Sequence, residues 1–248
     1  MKKLLLGVAL ATGMNLCLAQ SSGLDEAITA ALGNSDRPEA DVARDRNRKP
    51  LETLNFFGIR QDMRVLELLP GGGWYTRLLA PVLAENGKLY VGLGTGRVSR
   101  DLLGEMGYEE VETIATDVSF ERTPERLITV GEFSFGVTDL DAVLTFRNMH
   151  NLDAVGRANM NKAVFDALKS GGIYGVVDHS RRHMEPDNPE NRRRMDPVLA
   201  IKEVQDAGFV LVDFSTLHYR PDDELRFEVG RPSVTGNSDR FTLLFRKP

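Results

Sequence analysis

The stretch Val65-Leu66-Glu67-Leu68-Leu69-Pro70-Gly71-Gly72-Gly73-Trp74-Tyr75-Thr76 carries a short apolar run into three consecutive glycines and then into a segment of helical character. Glycine lets bare backbone amides approach a ligand closely, and the start of a helix favours negative charge, so a carboxylate or phosphate suits this loop. No Gly-Lys-Ser/Thr follows, which excludes a Walker loop, and Thr76 stands where a dinucleotide fingerprint needs its third glycine. Glu67 falls in the carboxyl half of the apolar run. There it can accept hydrogen bonds from a ligand ammonium or merely brace the loop's own amides, and ligand binding is the favoured reading.

Working outward, short apolar runs alternate with amphipathic ones. Strands are expected at Arg64 to Leu69, Lys88 to Leu93, Glu112 to Ala115, Ala142 to Phe146 and Ile173 to Asp178, with helices at 74–84, 97–106, near 124–130 and at 152–169. That alternation implies βαβ crossovers and a parallel sheet. Beyond it, Pro197 to Ala207 reads as a helix, and Phe209 to Phe214 and Arg240 to Arg246 read as an antiparallel pair of strands at one edge. On the other side of the glycine loop, Leu24 to Leu32 and Pro38 to Phe57 read as helical, with Gly58 closing the second. The connections 179–194 and 216–239 are longer than such a fold needs, and long loops of this kind are often functional.

The first 19 of the 248 residues read as a secretory signal peptide: Lys2 and Lys3, then the apolar or small residues from Leu4 to Leu18, then Ala19 before Gln20. Removing them leaves 229 residues, a length for one core, with no second run of membrane-spanning length. The only cysteine, Cys17, leaves with the leader, so disulfides, cysteine-based zinc sites and cysteine nucleophiles are excluded from the mature chain. Without Lys2 and Lys3, 29 basic residues face 36 acidic ones, a net charge of −7 that disfavours nucleic acid and anionic membranes as partners. The expected product is exported and periplasmic, with residues 20–58 as a helical lid segment and 59–248 as the main domain.

The strand, its acid and the Pro-Gly-Gly-Gly turn resemble motif I of class I S-adenosylmethionine-dependent methyltransferases, and the strand–helix rhythm is similar to that family's across residues 50 to 248. Asp141-Ala142-Val143-Leu144 and Ala167-Leu168-Lys169-Ser170-Gly171-Gly172-Ile173 are further local matches. More narrowly, Pro70 to Gly73, Phe146-Arg147-Asn148 and Asp239-Arg240-Phe241 resemble segments of an exported, mostly uncharacterised group of predicted methyltransferases. The resemblance implies a Rossmann-like doubly wound α/β fold: a seven-stranded, mostly parallel sheet whose last strand is antiparallel. It implies S-adenosyl-L-methionine as cofactor, with Glu67, Gly71, Gly72 and Gly73 at its methionine end and Asp117 at the adenine amino group. Two positions depart from the family: Leu69 replaces the first glycine of Gly-x-Gly-x-Gly, and Leu93 replaces the acid that holds the ribose hydroxyls.

Ligands of doubly wound sheets sit at the carboxyl ends of the strands, where strand order reverses. In such a sheet the fourth and fifth strands bring Arg147, Asn148, His150, Asp178 and His179 to that edge. Methyl transfer is an in-line displacement that needs alignment and, for a protonated acceptor, a base. His150 or His179 is the candidate base, Asp178 orients an imidazole, and Asn148 or Arg147 positions the acceptor; the plain alternative is a bracing aspartate beside ordinary histidines. Arg181 and Arg182, in a connection with five arginines, could clamp an anionic small-molecule substrate. Arg44, Asp45, Arg48 and Lys49, and His218-Tyr219-Arg220, are weaker rim candidates, while Trp74 and Tyr75 read as packing residues. Asp178, His150, His179 and His183 have the chemistry for zinc, manganese or iron, but His-x-x-x-His needs a helix and Pro186 and Pro189 interrupt the segment, so no metal site is assigned. The readings left open beside a small-molecule methyltransferase are a non-catalytic periplasmic binding protein on the same fold and a metal-assisted enzyme using the histidines.

Overall fold

The computed structural model describes residues 23–115 and 117–248, so the leader expected at 1–19 lies outside the described residues. The strands are β1 (Arg64–Leu68), β2 (Lys88–Gly92), β3 (Glu112–Ile114), β4 (Phe120–Arg122), β5 (Ile128–Val130), β6 (Leu140–Phe146), β7 (Leu168–His179), β8 (Val210–Ser215) and β9 (Arg240–Arg246). The helices are α1 (23–32), α2 (Glu39–Val42), α3 (Asp45–Arg48), α4 (Pro50–Phe56), α5 (Thr76–Leu83), α6 (Gly96–Asp101), α7 (Ala154–Ala167) and α8 (Pro197–Asp206). Seven strands form one sheet in the order β3-β2-β1-β6-β7-β9-β8, parallel from β3 through β7, with β9 antiparallel to both neighbours. The expected doubly wound sheet with its antiparallel last strand is therefore present, and the order reverses between β1 and β6.

The central strands read as nearly continuous apolar runs because both faces are covered. Leu66, Leu68 and Val143 pack on one face with Met160 and Val164 of α7 and Ala200 and Val204 of α8. Val65, Ala142 and Leu144 pack on the other with Ile28 of α1, Leu54 of α4 and Leu78 and Leu79 of α5. Burying a side chain such as Leu54 is worth roughly 1.5–3 kcal/mol, so the N-terminal helices are part of the layer that completes the core.

Three local expectations change. The helix read from Pro38 to Phe57 breaks into α2, α3 and α4: a turn at Ala43 and Arg44 separates α2 from α3, and α3 ends where Lys49 takes φ 43° and Pro50, with its preset φ, starts a new helix. Residues near 124–130 form part of the antiparallel β4–β5 ribbon instead of a helix: the β-branched Ile128-Thr129-Val130 pairs with Phe120 to Arg122, and across the turn Leu127 N donates to the Thr123 hydroxyl at 3.2 Å while Thr123 N donates to the Leu127 carbonyl at 2.9 Å. The helix expected at 152–169 ends at Ala167, and the strand expected from Ile173 already begins at Leu168 as β7, tied to the chain's end by Gly171 N donating to the Lys247 carbonyl at 2.9 Å.

Candidate active site at the carboxyl edge of the sheet

The first residue after each of β1, β2, β3 and β6 has left-handed backbone: Leu69 (φ 50°), Leu93 (φ 62°), Ala115 (φ 50°) and Arg147 (φ 64°). Non-glycine residues pay about 1–3 kcal/mol each for unfavourable backbone of this kind. The turns are thus held by their surroundings, and Leu69 adopts the glycine-like conformation although the glycine is missing. Across the reversal point, Asn148 Nδ2 donates to the carbonyls of Leu68 (3.1 Å) and Leu69 (3.3 Å), strapping the end of β6 to the end of β1.

Glu67 is buried at the end of β1 and accepts a 2.6 Å hydrogen bond from the hydroxyl of Thr76, the first residue of α5. Burial pushes its carboxyl up to about 8, against the opposing pull of the Thr76 hydrogen bond and the Arg48 charge. Gly71 has φ 61°, and a Cβ there would meet no atom within 4 Å, so the loop leaves open space above its backbone. Gly73 is different: a Cβ would lie 2.5 Å from Leu102 Cδ2 and 2.9 Å from Val98 Cγ2, so close packing on α6 demands that glycine.

Above the loop lies a cavity of about 490 Å³, lined by Glu67, Gly71, Gly72, Trp74, Tyr75, Arg147 and Asn148 and roofed by Pro38 to Arg48. The roof is pinned down. Trp74 Nε1 donates to the Asp41 carbonyl (2.9 Å), Arg37 pairs bidentately with Asp45 (2.6 and 2.8 Å), and buried His218 bonds the Arg48 carbonyl through Nε2 (3.0 Å) and Thr242 through Nδ1 (2.7 Å). Arg48 is buried with its guanidinium 4.3 Å above the Trp74 ring, and Tyr75 stacks on Phe146 at 3.5 Å. Trp74 and Tyr75 pack in the core as expected, but they also line the cavity and seat an arginine.

His150, Asp178 and His179 do meet. Fully buried Asp178 accepts from the backbone N–H of His150 (3.1 Å) and of His179 (2.7 Å), and its Oδ1 lies 2.5 Å from His150 Nδ1. The two imidazoles are 5.4 Å apart, and His179 Nδ1 bonds the Ser238 hydroxyl at 2.7 Å. Burial, with the neighbouring His150, holds His179 well below the usual histidine range. His150 lines a second cavity of about 690 Å³, together with Arg157, Arg181, Arg192 and Met195. Asn148 and His150, two positions apart, therefore face different cavities.

The remaining sequence candidates scatter. Arg181 lines the second cavity and pairs with Asp187, whereas exposed Arg182 donates to the Glu224 carbonyl at 3.0 Å and lines neither cavity. Buried Arg194 bridges Asp223 (2.9 Å) and the Ser180 carbonyl (3.0 Å), locking the two long connections together. His183 bonds Asp196 at 2.9 Å, away from His179, and among the described residues no cluster of three or more metal-ligating side chains forms. Asp117 is exposed beyond β3 and lines neither cavity, and Leu93 is wholly buried in the core. Arg77 and Arg97 line the cavity without any sequence signal, and Thr76, which in the sequence only displaces the third glycine of a dinucleotide fingerprint, turns out to hold Glu67.

No protein-family profile and no curated protein sequence matches the chain. Solved structures do. A SAM dependent methyltransferase from Aquifex aeolicus superposes with TM-score 0.53 at 15% identity, covering 82% of this chain and 97% of that one. The [4+2]-cyclase SpnF superposes with TM-score 0.55 at 15% identity, covering 82% and 81%. The glycopeptide N-methyltransferase MtfA, complexed with sinefungin, gives TM-score 0.53 at 14% identity, covering 82% and 86%. The chain shares their fold, that of class I S-adenosylmethionine-dependent methyltransferases.

Proposed function

We propose that this protein is a methyltransferase that binds S-adenosyl-L-methionine in the glycine-loop cavity and methylates a small molecule. The observation that carries the reading is Glu67: a buried carboxyl, held by Thr76 beside the open backbone of Gly71, at the point where strand order reverses. A buried carboxyl is costly to ionise without a cation, and the ammonium of an amino acid supplies one. In this reading Glu67 holds the ammonium, Gly71 and Gly72 admit the ligand against bare backbone, and Gly73 sets the turn by packing on α6. No carboxylate stands at Leu93, so the ribose end relies on other groups; Asp101 lines the cavity on the α6 side, and the adenine end is proposed to extend past the cavity wall to the exposed Asp117.

The bound cofactor supplies an electrophilic methyl group on a sulfonium. The protein aligns the acceptor at Asn148 and Arg147, excludes water beneath the α2–α3 roof, and takes up the acceptor's proton. His150 is the proposed base, its Nδ1 held by Asp178 so that Nε2 is the free nitrogen, taking the proton of an acceptor seated in the glycine-loop cavity across the 147–150 turn that separates the two cavities. Titrating the protein with S-adenosylhomocysteine tests the reading. Binding that weakens at least tenfold in Glu67→Gln supports it, and no binding at millimolar ligand contradicts it.

Two features favour a binding protein without catalysis as the second reading: the core position of Leu93, and the proposed export of the chain by residues 1–19. The fold does not decide between them, because one fold carries many chemistries.

A further inference from the structure

Five arginines line the glycine-loop cavity, and three of them have acidic partners. Arg44 reaches Asp41 (3.3 Å), Arg77 reaches Glu105 (3.2 Å), and Arg97 reaches Asp101 (3.4 Å). The side chains of Arg48 and Arg147 make no hydrogen bond and no ion pair among the described residues, and Arg48 Nε is buried without a partner. After burial itself, the charge of Arg147 is the largest influence lowering Arg48, to about 8, and Arg44 adds to it. Burial and Arg44 likewise lower Arg147. Arg240, behind them, spends one nitrogen on the Asn47 carbonyl (2.6 Å) and leaves buried Nε unpartnered.

No acid on the cavity wall forms an ion pair with either Arg48 or Arg147, although the Arg48 charge acts on Glu67. Asp41 and Asp101 are taken by their own arginines, and Glu67 is turned to Thr76 with no arginine nitrogen within 4 Å. Arg48 and Arg147 line the same cavity under a pinned roof with no acid at ion-pair distance, and among the carboxylates only Asp178 offsets the charge of Arg147, so an anion bound between them would return stability that burial of these charges costs. Guanidinium groups present paired donors that match the two oxygens of a carboxylate. Beside them, Trp74, Tyr75 and Phe146 form an apolar aromatic wall.

We propose that Arg48 and Arg147 form an anion subsite that holds the carboxylate of the methyl acceptor, an organic acid with an apolar or aromatic body lying against Trp74, Tyr75 and Phe146. The assignment rests on the proposed function in calling the ligand the acceptor. The other source of a carboxylate is the cofactor's own amino-acid end, and the test separates the two.

Benzoate is titrated calorimetrically into the full-length mature protein at constant ionic strength, first alone and then at saturating S-adenosylhomocysteine. The same titrations are run on Arg48→Met, Arg147→Met and, as a control in the second cavity, Arg192→Met. The expected result is benzoate binding that survives saturation with S-adenosylhomocysteine, weakens at least tenfold in Arg48→Met and Arg147→Met, and is unchanged in Arg192→Met. Thermal melts show whether the variants are folded; removing an uncompensated charge leaves the ligand-free melting temperature equal or higher while abolishing its rise with benzoate. Competition between benzoate and S-adenosylhomocysteine, with weakened S-adenosylhomocysteine binding in Arg147→Met, would overturn the proposal and give the pair to the cofactor's carboxylate. Absence of benzoate binding, or binding lost only in Arg192→Met, would overturn it too. Benzoate binding without S-adenosylhomocysteine binding would keep the anion subsite and reject the methyltransferase reading.

Discussion

The Thr76 hydroxyl donates to the Glu67 carboxyl across 2.6 Å, joining the first residue of α5 to the last turn-facing acid of β1. A carboxyl raised to about 8 by burial keeps its proton in the folded state, while the unfolded chain releases it near 4.5. The folded state then binds more protons than the unfolded one between those values, so stability falls as pH rises through that window, with a slope of up to about 1.4 kcal/mol per pH unit. Glu67→Gln mimics the protonated form. Its stability relative to the native protein is expected to rise from pH 5 to pH 8 and to level off above; urea denaturation at pH 5, 7 and 9 measures this, and a pH-independent difference counts against the buried proton.

Gly73 and Gly71 both have positive φ, yet their substitutions should differ. At Gly73 a methyl group meets Leu102 and Val98 inside 3 Å, whereas at Gly71 it enters open space. Gly73→Ala is expected to destabilise by about 2–4 kcal/mol from strain plus overpacking, and Gly71→Ala by about 1–2 kcal/mol from backbone strain alone. Equal losses in chemical denaturation would mean that α6 does not abut the loop.

The Asn148 strap should matter locally. Asn148→Ala frees the carbonyls of Leu68 and Leu69 and is expected to cost about 1–2 kcal/mol. Faster amide hydrogen exchange at 69–73, with β7 unchanged, is the expected pattern; uniform protection across the glycine loop would show the strap to be idle.

Asp178 accepts three hydrogen bonds while fully buried, so Asp178→Asn should lose about 2–4 kcal/mol as its amide faces N–H donors. His150→Ala should leave S-adenosylhomocysteine affinity within twofold, because His150 lines the other cavity, and should remove most turnover once an acceptor is found. Turnover equal to that of the native protein would exclude His150 as the base.

Export is open to a direct check. Expressed with its leader in a Gram-negative host, the protein is expected in the periplasmic fraction with Gln20 as its first residue, by intact mass. An uncleaved chain in the cytoplasm would remove the leader assignment.

Much of the fold was legible because both faces of the central strands are buried, which writes β1, β2 and β6 as apolar runs bounded by glycine and by the helices that follow. Local signals failed where tertiary contacts decide: Thr129 and its β-branched neighbours pair in a ribbon, and Lys49 breaks a charge-rich stretch that reads as one helix. The site was half legible. Glu67, Asn148 and Arg147 were marked by their place at strand ends, and Asp178 does bring His150 and His179 together. Which cavity each residue faces was not, since two positions of a tight turn separate Asn148 from His150. Arg48 was only one of several rim candidates in the charge run Asp41 to Lys49, where only folding distinguishes a buried guanidinium from solvated ones. The arginines of 179–194 looked free and are mostly spent on Asp187, Asp223 and Glu228.

The central claim is that Glu67 receives the ammonium of the cofactor, and proton linkage tests it most directly. S-adenosylhomocysteine is titrated at pH 7 in two buffers of different ionisation enthalpy, into the native protein and into Glu67→Gln. Because the carboxyl, pushed up to about 8, starts mostly protonated at pH 7 and must ionise against a cation, the native protein should release half a proton or more on binding. Glu67→Gln should release none and bind at least tenfold more weakly. Binding without proton release, at an affinity indifferent to Glu67→Gln, would contradict the account.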